Sequence, residues 1–143
     1  MEDKKPHVIY LVLRIVAAVI LLQTVVFFKF PGHPDSVGLF TAVSEGVTGG
    51  PDLEAALRLG SGVVELITGI FLLIPRAWSI AVGAALGAGT MVGAIGTHLG
   101  IIGIVHADDG GSLFMMAIVV FAACVALLWR FRAGLPVVGG RFV

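Results

Sequence analysis

Four long apolar segments, separated by stretches rich in turn and charged residues, dominate the pattern of the chain. They cover residues 8–28, 57–74, 78–105 and 112–131. A helix needs about 20 mainly apolar residues to cross a bilayer, so each segment is long enough to do so. Pro75 ends the second segment and Pro136 follows the fourth, where a helix cannot continue. The pattern predicts an all-α, integral membrane four-helix bundle that forms a single domain over residues 1–143.

The longest stretch between two spans is the outer loop, residues 31–56. Residues 31–52 of this loop begin and end with turn residues, and between them Ser36 is placed to cap a short helix. The apolar residues on one face of that helix are Val37, Phe40 and Val43. This pattern predicts an interfacial helix, or one that lies over the mouth of the bundle. Asp52, which follows Pro51, is the predicted cap of the second span.

Composition and charge narrow the class of protein. Hydrophobic residues make up 58% of the chain and charged residues 13%. A soluble domain is close to half apolar and about a quarter charged. The formal net charge is zero, so nothing indicates nucleic-acid binding. The chain has a single cysteine, Cys124, and therefore neither an intramolecular disulfide nor a CxxC motif. Dithiol–disulfide exchange, which needs a second thiol to resolve the mixed disulfide, is excluded.

The distribution of lysine and arginine predicts the orientation in the membrane. One end of the bundle carries most of them, namely Lys4, Lys5, Arg76, Arg130, Arg132 and Arg141. Only Lys29 and Arg58 flank the other end, where the acidic loop residues lie. The positive-inside rule then places both termini in the cytoplasm, and the acidic loops face outward, toward a periplasm or the cell exterior. The first span is too long for a cleaved signal peptide and has no small-residue cleavage site, so we interpret it as a retained helix.

Glycine is concentrated in the third span. Three pairs have the small-xxx-small spacing that lets helices approach closely: Gly83/Gly87, Gly89/Gly93 and Gly96/Gly100. This spacing predicts that the third span is the central, tightly packed helix. The same faces are compatible with a monomer or a homodimer.

A few polar residues lie where lipid is predicted: Arg14 and Gln23 in the first span, Glu65 in the second and His98 in the third. Charged groups inside a membrane usually face the bundle interior and pair with one another. In one arrangement Glu65 is the counter-ion of Arg14. In the other, Glu65 joins an outward-opening cluster with Gln23 and His98, and the cations at its rim are Arg58 and Lys29. The second is favoured, because Glu65 shares a helix face with Arg58, Gly62 and Gly69.

The loop between the third and fourth spans contains the turn sequence DDGG at residues 108–111. Ser112, or an aspartate just before it, is a predicted cap of the fourth helix. This turn is expected to lie over the polar cluster, with Asp109 at its mouth. The ligand-binding candidates are therefore Glu65, His98, Gln23, Arg14, Arg58 and Asp109.

Several chemical roles remain open for this cluster. A buried Glu–Arg or Glu–His pair can simply fix how helices pack. A buried carboxylate near a histidine can instead exchange protons or bind a polar headgroup. A third role is coordination of a metal by Glu65, His98, His106 and Asp108, but their spacing matches no established site and no metal is predicted.

Several motifs follow one another in a fixed order along the four spans. In chain order they are Arg14, FFKF at Phe27–Phe30, GSGVVELITGIFLLIP at Gly60–Pro75, MVGAIGTHL at Met91–Leu99, and DDGGSLF ending at Phe114. Their order and spacing together resemble the DoxX family of small bacterial membrane proteins, and the resemblance implies a location in the bacterial inner membrane.

The resemblance covers residues 14–128 and implies a four-helix membrane bundle. Some members of the family are small subunits of thiosulfate:quinone oxidoreductase, and others work in membrane complexes with superoxide dismutase and a sulfurtransferase. It therefore implies an accessory subunit in quinone-linked or sulfur and oxidative-stress redox chemistry, with a quinone and redox proteins as partners. The chain has no redox centre or nucleophile motif of its own. Two alternatives stay open: a non-catalytic membrane scaffold, and a small proton-coupled transporter that acts as an oligomer.

Overall fold

The computed structural model describes residues 5–142, with side chains from His7 onward, and it consists of helices joined by short connections. Lys4, one of the cations used to predict orientation, lies outside these residues. The α-helices are α1 (Lys5–Thr24), α2 (Pro34–Thr48), α3 (Glu54–Leu73), α4 (Ala77–Thr97) and α5 (Ser112–Phe131). Short turns extend four of them: π-helical turns at Val25–Lys29 and His98–Ile102, and 3₁₀ turns at Pro51–Leu53 and Arg132–Gly134.

Four of these helical stretches are long and apolar enough to cross a membrane. They are His7–Lys29, Pro51–Leu73, Ala77–Ile102 and Ser112–Gly134. The predicted all-α four-helix bundle is confirmed, and the chain is a multi-pass membrane protein.

The four long helices pack around a common core in which each contacts two main neighbours. Helix α1 packs against α3 and α5, and α4 packs against the same two helices. Helix α2 lies across one end of the bundle, on α3 and on the π-helical turn that follows α4. We call this the loop end. The opposite end, where α1 begins and α5 finishes, is the terminal end.

The structure corrects the predicted boundaries of the outer loop. The helix of the second span begins at Pro51, so the stretch that is free of the spans is shorter than residues 31–56. Helix α2 has 15 residues and begins at Pro34, whose ring favours the first helical position. It ends at Gly49, which adopts a left-handed conformation with φ +81°.

Both predicted helix caps in this region are wrong. His33 precedes α2, and its Nδ1 atom accepts the Asp35 N–H at 3.3 Å, whereas Ser36 lies inside the helix and is buried. At the start of the second span, Ser44 takes the place predicted for Asp52. The Ser44 hydroxyl accepts the Leu53 N–H at 3.0 Å and donates to the Gly50 carbonyl at 2.6 Å. A cap from another helix cannot be found by local spacing.

Along α4, close packing is confined to the terminal half of the bundle. Leu72 of α3 and Leu127 of α5 are fully buried there. Gly83 and Gly87 of α4 allow close contact: a Cβ at Gly83 would lie 3.1 Å from the Leu72 backbone nitrogen. The prediction of a tightly packed third span holds for these two glycines. It is wrong for the other four, since a Cβ at Gly89, Gly93, Gly96 or Gly100 would have no atom within 4 Å.

This difference predicts opposite effects for two glycine substitutions in α4. In Gly87→Ala, the new methyl group would lie 2.6 Å from the Cys124 Sγ atom and 3.1 Å from Thr68 Cγ2, so we expect a loss of about 1 to 3 kcal/mol. Gly89→Ala is the control, because it meets nothing and gains helix propensity of up to about 1 kcal/mol. Unfolding free energies in detergent micelles measure both. Equal losses in the two variants would contradict the packing described here.

Candidate functional site

A cavity of about 690 Å³ occupies the loop end of the bundle. Helices α1, α3, α4 and α5 contribute its walls, and α2 covers it. Most lining side chains are apolar, including Ile20, Leu39, Phe40, Met91, Leu113 and Met116. Its volume falls within the roughly 300 to 1,000 Å³ typical of small-molecule sites. An apolar cavity of this size that also contains a few polar groups is suited to a small lipophilic ligand.

The strongest polar interaction on the cavity wall is an ion pair between Lys29 and Glu65. The Lys29 Nζ atom donates to Glu65 Oε1 at 2.7 Å and to the Ser61 hydroxyl at 2.9 Å, and it lies 5.1 Å from the centre of the Phe40 ring. The two charged side chains are 12% and 7% exposed. Lys29 therefore reaches from the end of α1 into the bundle, and its charge is satisfied by groups from α2 and α3.

The other carboxylate oxygen of Glu65 is much less occupied. The Thr24 hydroxyl lies 3.5 Å from Oε2, at the limit of a hydrogen bond. That hydroxyl also lies 2.7 Å from the Leu21 carbonyl, which is the better acceptor for its single proton. Oε2 thus keeps lone pairs that can accept a hydrogen bond from another group in the cavity.

Small residues along α3 bring this helix against α1 and position the ion pair. At Gly62, a Cβ would lie 2.8 Å from the Phe30 ring, and at Gly69 it would lie 2.7 Å from Leu22 Cγ. Glu65 lies between these glycines on the same helix face, as the spacing predicted. The close approach of the two backbones lets Glu65 reach Lys29. We call this contact between α1 and α3 the α1–α3 seam.

Two of the polar groups on the wall lie in π-helical turns. Lys29 ends the turn Val25–Lys29, and His98 begins the turn His98–Ile102. Such turns are rare in proteins and are frequent at functional sites. Here they interrupt the regular helices at the loop end, where the cavity lies.

His98 is buried and held in a defined orientation. Its Nδ1 atom is 2.9 Å from the Gly103 carbonyl, and its ring packs edge-on against Phe114 at 5.6 Å between centroids. A carbonyl can only accept, so Nδ1 carries the hydrogen and the neutral ring has its lone pair on Nε2. Gly103 has φ +84°, a conformation that favours glycine and turns its carbonyl toward the ring.

Asp109 organises the loop over the cavity. Its Oδ1 atom accepts the N–H groups of His106 and Gly111, and its Oδ2 atom accepts that of Leu113 in the first turn of α5. The predicted aspartate cap of α5 is therefore present, and Ser112 is not the cap. Partial burial raises the pKa of Asp109, but these three backbone hydrogen bonds outweigh it and leave the pKa below its ordinary value.

The structure brings together some of the predicted site residues and separates others. Glu65, His98, Gln23 and Asp109 all line the cavity. Glu65 and His98 do not hydrogen-bond each other, since their partners are Lys29 and Gly103. The Gln23 amide makes one weak contact, 3.8 Å from the Met116 sulfur, so it remains able to bind a ligand.

Arg14 and Arg58 are not part of the cavity wall, which corrects their predicted roles. Arg14 donates from Nε to the Leu72 carbonyl at 2.7 Å and from Nη2 to the Leu73 carbonyl at 3.1 Å. It is therefore not the counter-ion of Glu65. Arg58 pairs with Glu54 and donates to the Lys29 carbonyl, so it supports the end of α1 from outside.

The sequence interpretation missed the partner of Glu65. Lys29 was predicted at the rim of the cluster because it follows the last apolar residue of its span. The position of Lys29 at the end of its span could have indicated this pairing, because a long lysine side chain can bury its stem and carry its ammonium group into a bundle. The contribution of Ser61 follows from the same geometry, because it precedes Glu65 by one helical turn. Within residues 5–142, no group of three or more His, Cys, Asp or Glu side chains is placed to hold a metal ion.

No protein-family model, no curated protein and no solved structure matches this chain. The resemblance to the DoxX family remains a prediction that rests on the sequence motifs.

The ion pair predicts a strong coupling between Lys29 and Glu65. Lys29→Met or Glu65→Met alone leaves a buried charge without its partner, which costs about 3 to 5 kcal/mol. The double variant removes both charges, so we expect it to be more stable than either single variant. Unfolding free energies in micelles give the coupling energy. Additive losses in the double variant would show that the pair contributes nothing.

The hydrogen bonds of Asp109 predict that the stability of the protein decreases at acid pH. Its carboxylate has a lowered pKa in the folded protein, so its stabilising effect is present above the ordinary pKa and is lost as the pH falls through the lowered one. We expect wild-type stability to decline below about pH 4, and Asp109→Asn to reduce that decline. Asp52→Asn is the control, since its exposed side chain forms none of these bonds. Unfolding midpoints between about pH 3 and 7 test this, and identical pH profiles for the two variants would contradict it.

Proposed function

We propose that this chain is a DoxX-like accessory membrane subunit that binds a lipophilic ring compound of the quinone class in the cavity at the loop end. The observation that carries the proposal is an apolar cavity of about 690 Å³ whose wall holds a buried carboxylate and a buried imidazole. The protein would lie in the bacterial inner membrane with its arginine-rich terminal end in the cytoplasm, as the positive-inside rule favours.

The polar groups of the cavity complement a ring that carries two oxygen atoms. The Gln23 amide is a donor for a carbonyl oxygen, and Glu65 Oε2 is an acceptor for a hydroxyl. The apolar side chains around them suit a ring and its hydrocarbon tail. These groups therefore support binding of either the carbonyl form or the hydroxyl form of the headgroup.

His98 and Glu65 have the chemistry needed to exchange protons with such a headgroup. The free lone pair of the neutral imidazole lies on Nε2, and Oε2 of the carboxylate is weakly engaged. A quinone supplies two-electron, two-proton redox chemistry when bound. Because the sequence has no redox centre of its own, the electrons would pass to or from a partner redox protein.

A structural role for the ion pair supports a second candidate, a membrane scaffold. Lys29 is satisfied entirely by Glu65, Ser61 and the Phe40 ring, so the pair needs no ligand to be stable. Under this alternative the cavity is a by-product of helix packing. Quinone binding requires the His98 side chain and an unfilled cavity, whereas the scaffold role requires neither.

The test is the quinone content of protein extracted in a mild detergent and analysed by liquid chromatography with mass spectrometry. We expect wild-type protein to retain quinone, and Ala94→Phe, which fills the cavity, to lose it at least tenfold. His98→Asn and Glu65→Gln should lower retention while the helical content stays unchanged. Ala94 lines the cavity without any polar contact, so its substitution tests the volume alone.

Thr90→Val is the matched control for these variants. Thr90 also lines the cavity, but its hydroxyl already donates to the Leu86 carbonyl at 2.8 Å, so we expect no loss of quinone. Absence of quinone from the wild type, or equal retention in Ala94→Phe, would refute the ligand and favour the scaffold.

A further inference from the structure

A second, smaller cavity of about 260 Å³ lies at the terminal end of the bundle. It is formed by α1, the connection between α3 and α4, and the last turn of α5. Its polar and charged lining residues are His7, Tyr10, Arg14 and Arg130. It shares no lining residue with the cavity at the loop end, so a ligand here is independent of the proposed quinone site.

Arg14 is fixed in this cavity by the end of α3. Two of its nitrogens donate to the carbonyls of Leu72 and Leu73, which are the last residues of that helix. These carbonyls have no partner within their own helix, so the arginine completes the helix terminus. The third nitrogen, Nη1, makes no hydrogen bond to any residue described. The guanidinium is therefore oriented by the protein and still able to donate.

Arg130 brings a second guanidinium to the same cavity on an aromatic support. Its Cζ atom lies 5.8 Å from the centre of the Tyr10 ring and 5.4 Å from that of Phe131. The two rings meet edge to face at 6.0 Å. This packing limits the positions that Arg130 can adopt, although its side chain is exposed.

The charge of this cavity has no carboxylate to balance it among the residues described. The acidic side chains within residues 5–142 lie at the loop end or, in the case of Glu65, in the ion pair with Lys29. Arg76, Arg132 and Arg141 add further positive charge near the terminal end. Two arginines in a concave site without a counter-ion among the described residues favour an anion from outside, and guanidinium groups match phosphate oxygens well.

The position of the cavity along the membrane indicates which anions reach it. The Arg14 guanidinium contacts the last residues of a membrane-spanning helix, so it lies at the level where hydrocarbon gives way to headgroups. Leu11 lines the cavity and is 48% exposed, and Ile15, one turn further into the membrane, is 45% exposed. These two side chains form an apolar path along α1 that can contact an acyl chain.

The geometry points to a binding site for the phosphate of an anionic phospholipid. The phosphate lies between Arg14 and Arg130, Tyr10 and His7 donate to its oxygens or to the headgroup, and one acyl chain follows Leu11 and Ile15. The lipid joins α1, the start of α4 and the end of α5, which no ion pair among the described residues connects at this end. Basic pockets at the ends of membrane helices bind lipid headgroups in this way.

The test uses the full chain in nanodiscs of phosphatidylcholine with a minor fraction of phosphatidylglycerol, and native mass spectrometry counts the lipids retained. Wild-type protein is expected to keep phosphatidylglycerol over phosphatidylcholine. Arg130→Gln and Arg14→Met should each weaken this preference at least tenfold. Arg130→Gln remains informative if Arg14→Met fails to fold, because Arg130 makes no hydrogen bond that supports the helices.

Arg141→Gln is the matched control, since it removes the same charge from the terminal end but lies outside the cavity. Equal loss of phosphatidylglycerol in Arg141→Gln and Arg130→Gln would overturn the site and show that only total charge matters. A second arm adds inorganic phosphate to protein in pure phosphatidylcholine. Stabilisation by phosphate equal to that by phosphatidylglycerol would overturn the lipid assignment. Ala94→Phe at the other end should leave lipid retention unchanged, which separates this result from the test of quinone binding.

Discussion

The ion pair between Lys29 and Glu65 is the interaction on which the loop half of the bundle depends. Either charge alone inside the membrane is costly, whereas the two together satisfy each other at 2.7 Å. Lys29 also contacts Ser61 on α3 and the ring of Phe40 on α2. One ammonium group therefore joins three helices. Such a contact forms only because Gly62 lets α1 and α3 approach closely enough.

Around α4, the bundle is closely packed at the terminal end and open at the loop end. In the terminal half, Gly83 and Gly87 bring α4 against α3 and α5, and large side chains such as Leu72 and Leu127 fill the core. In the loop half, Glu65 is held by α1, and the glycines of α4 beyond Gly87 have no close neighbours. The space between the helices is covered by α2 and is not filled by side chains. The cavity results from this arrangement.

The two ends of the protein thus have different chemistry. The loop end contains a carboxylate, an imidazole and an amide in an apolar chamber, which suits a lipophilic molecule with a polar ring. The terminal end contains two arginines and no described carboxylate, which suits an anionic headgroup. The packed core between them keeps the two sets of polar groups apart. A quinone site and a lipid site can therefore be tested separately, by substitutions that do not contact each other.

The sequence by itself determined the elements and the class of the protein, because these follow from local properties. Long apolar runs predicted the four spans, and the helical period predicted the face of α3 that carries Arg58, Gly62, Glu65 and Gly69. That face does pack on α1. The turn residues before α5 predicted a cap by Ser112 or an aspartate just before it, and Asp109 is the residue that caps. Hydrophobicity and period are properties of neighbouring residues, so they can be read from the chain alone.

Only the tertiary structure decided the partner of each polar residue. Arg14 and Lys29 are both cations of the first span, yet Lys29 reaches Glu65 and Arg14 reaches the carbonyls at the end of α3. Ser44 contacts the start of α3, a role that spacing had assigned to Asp52. The three glycine pairs of α4 look alike in sequence, but only Gly83 and Gly87, which face neighbouring helices, are closely packed. Pairing across helices depends on their rotation and separation, and no local pattern contains that information.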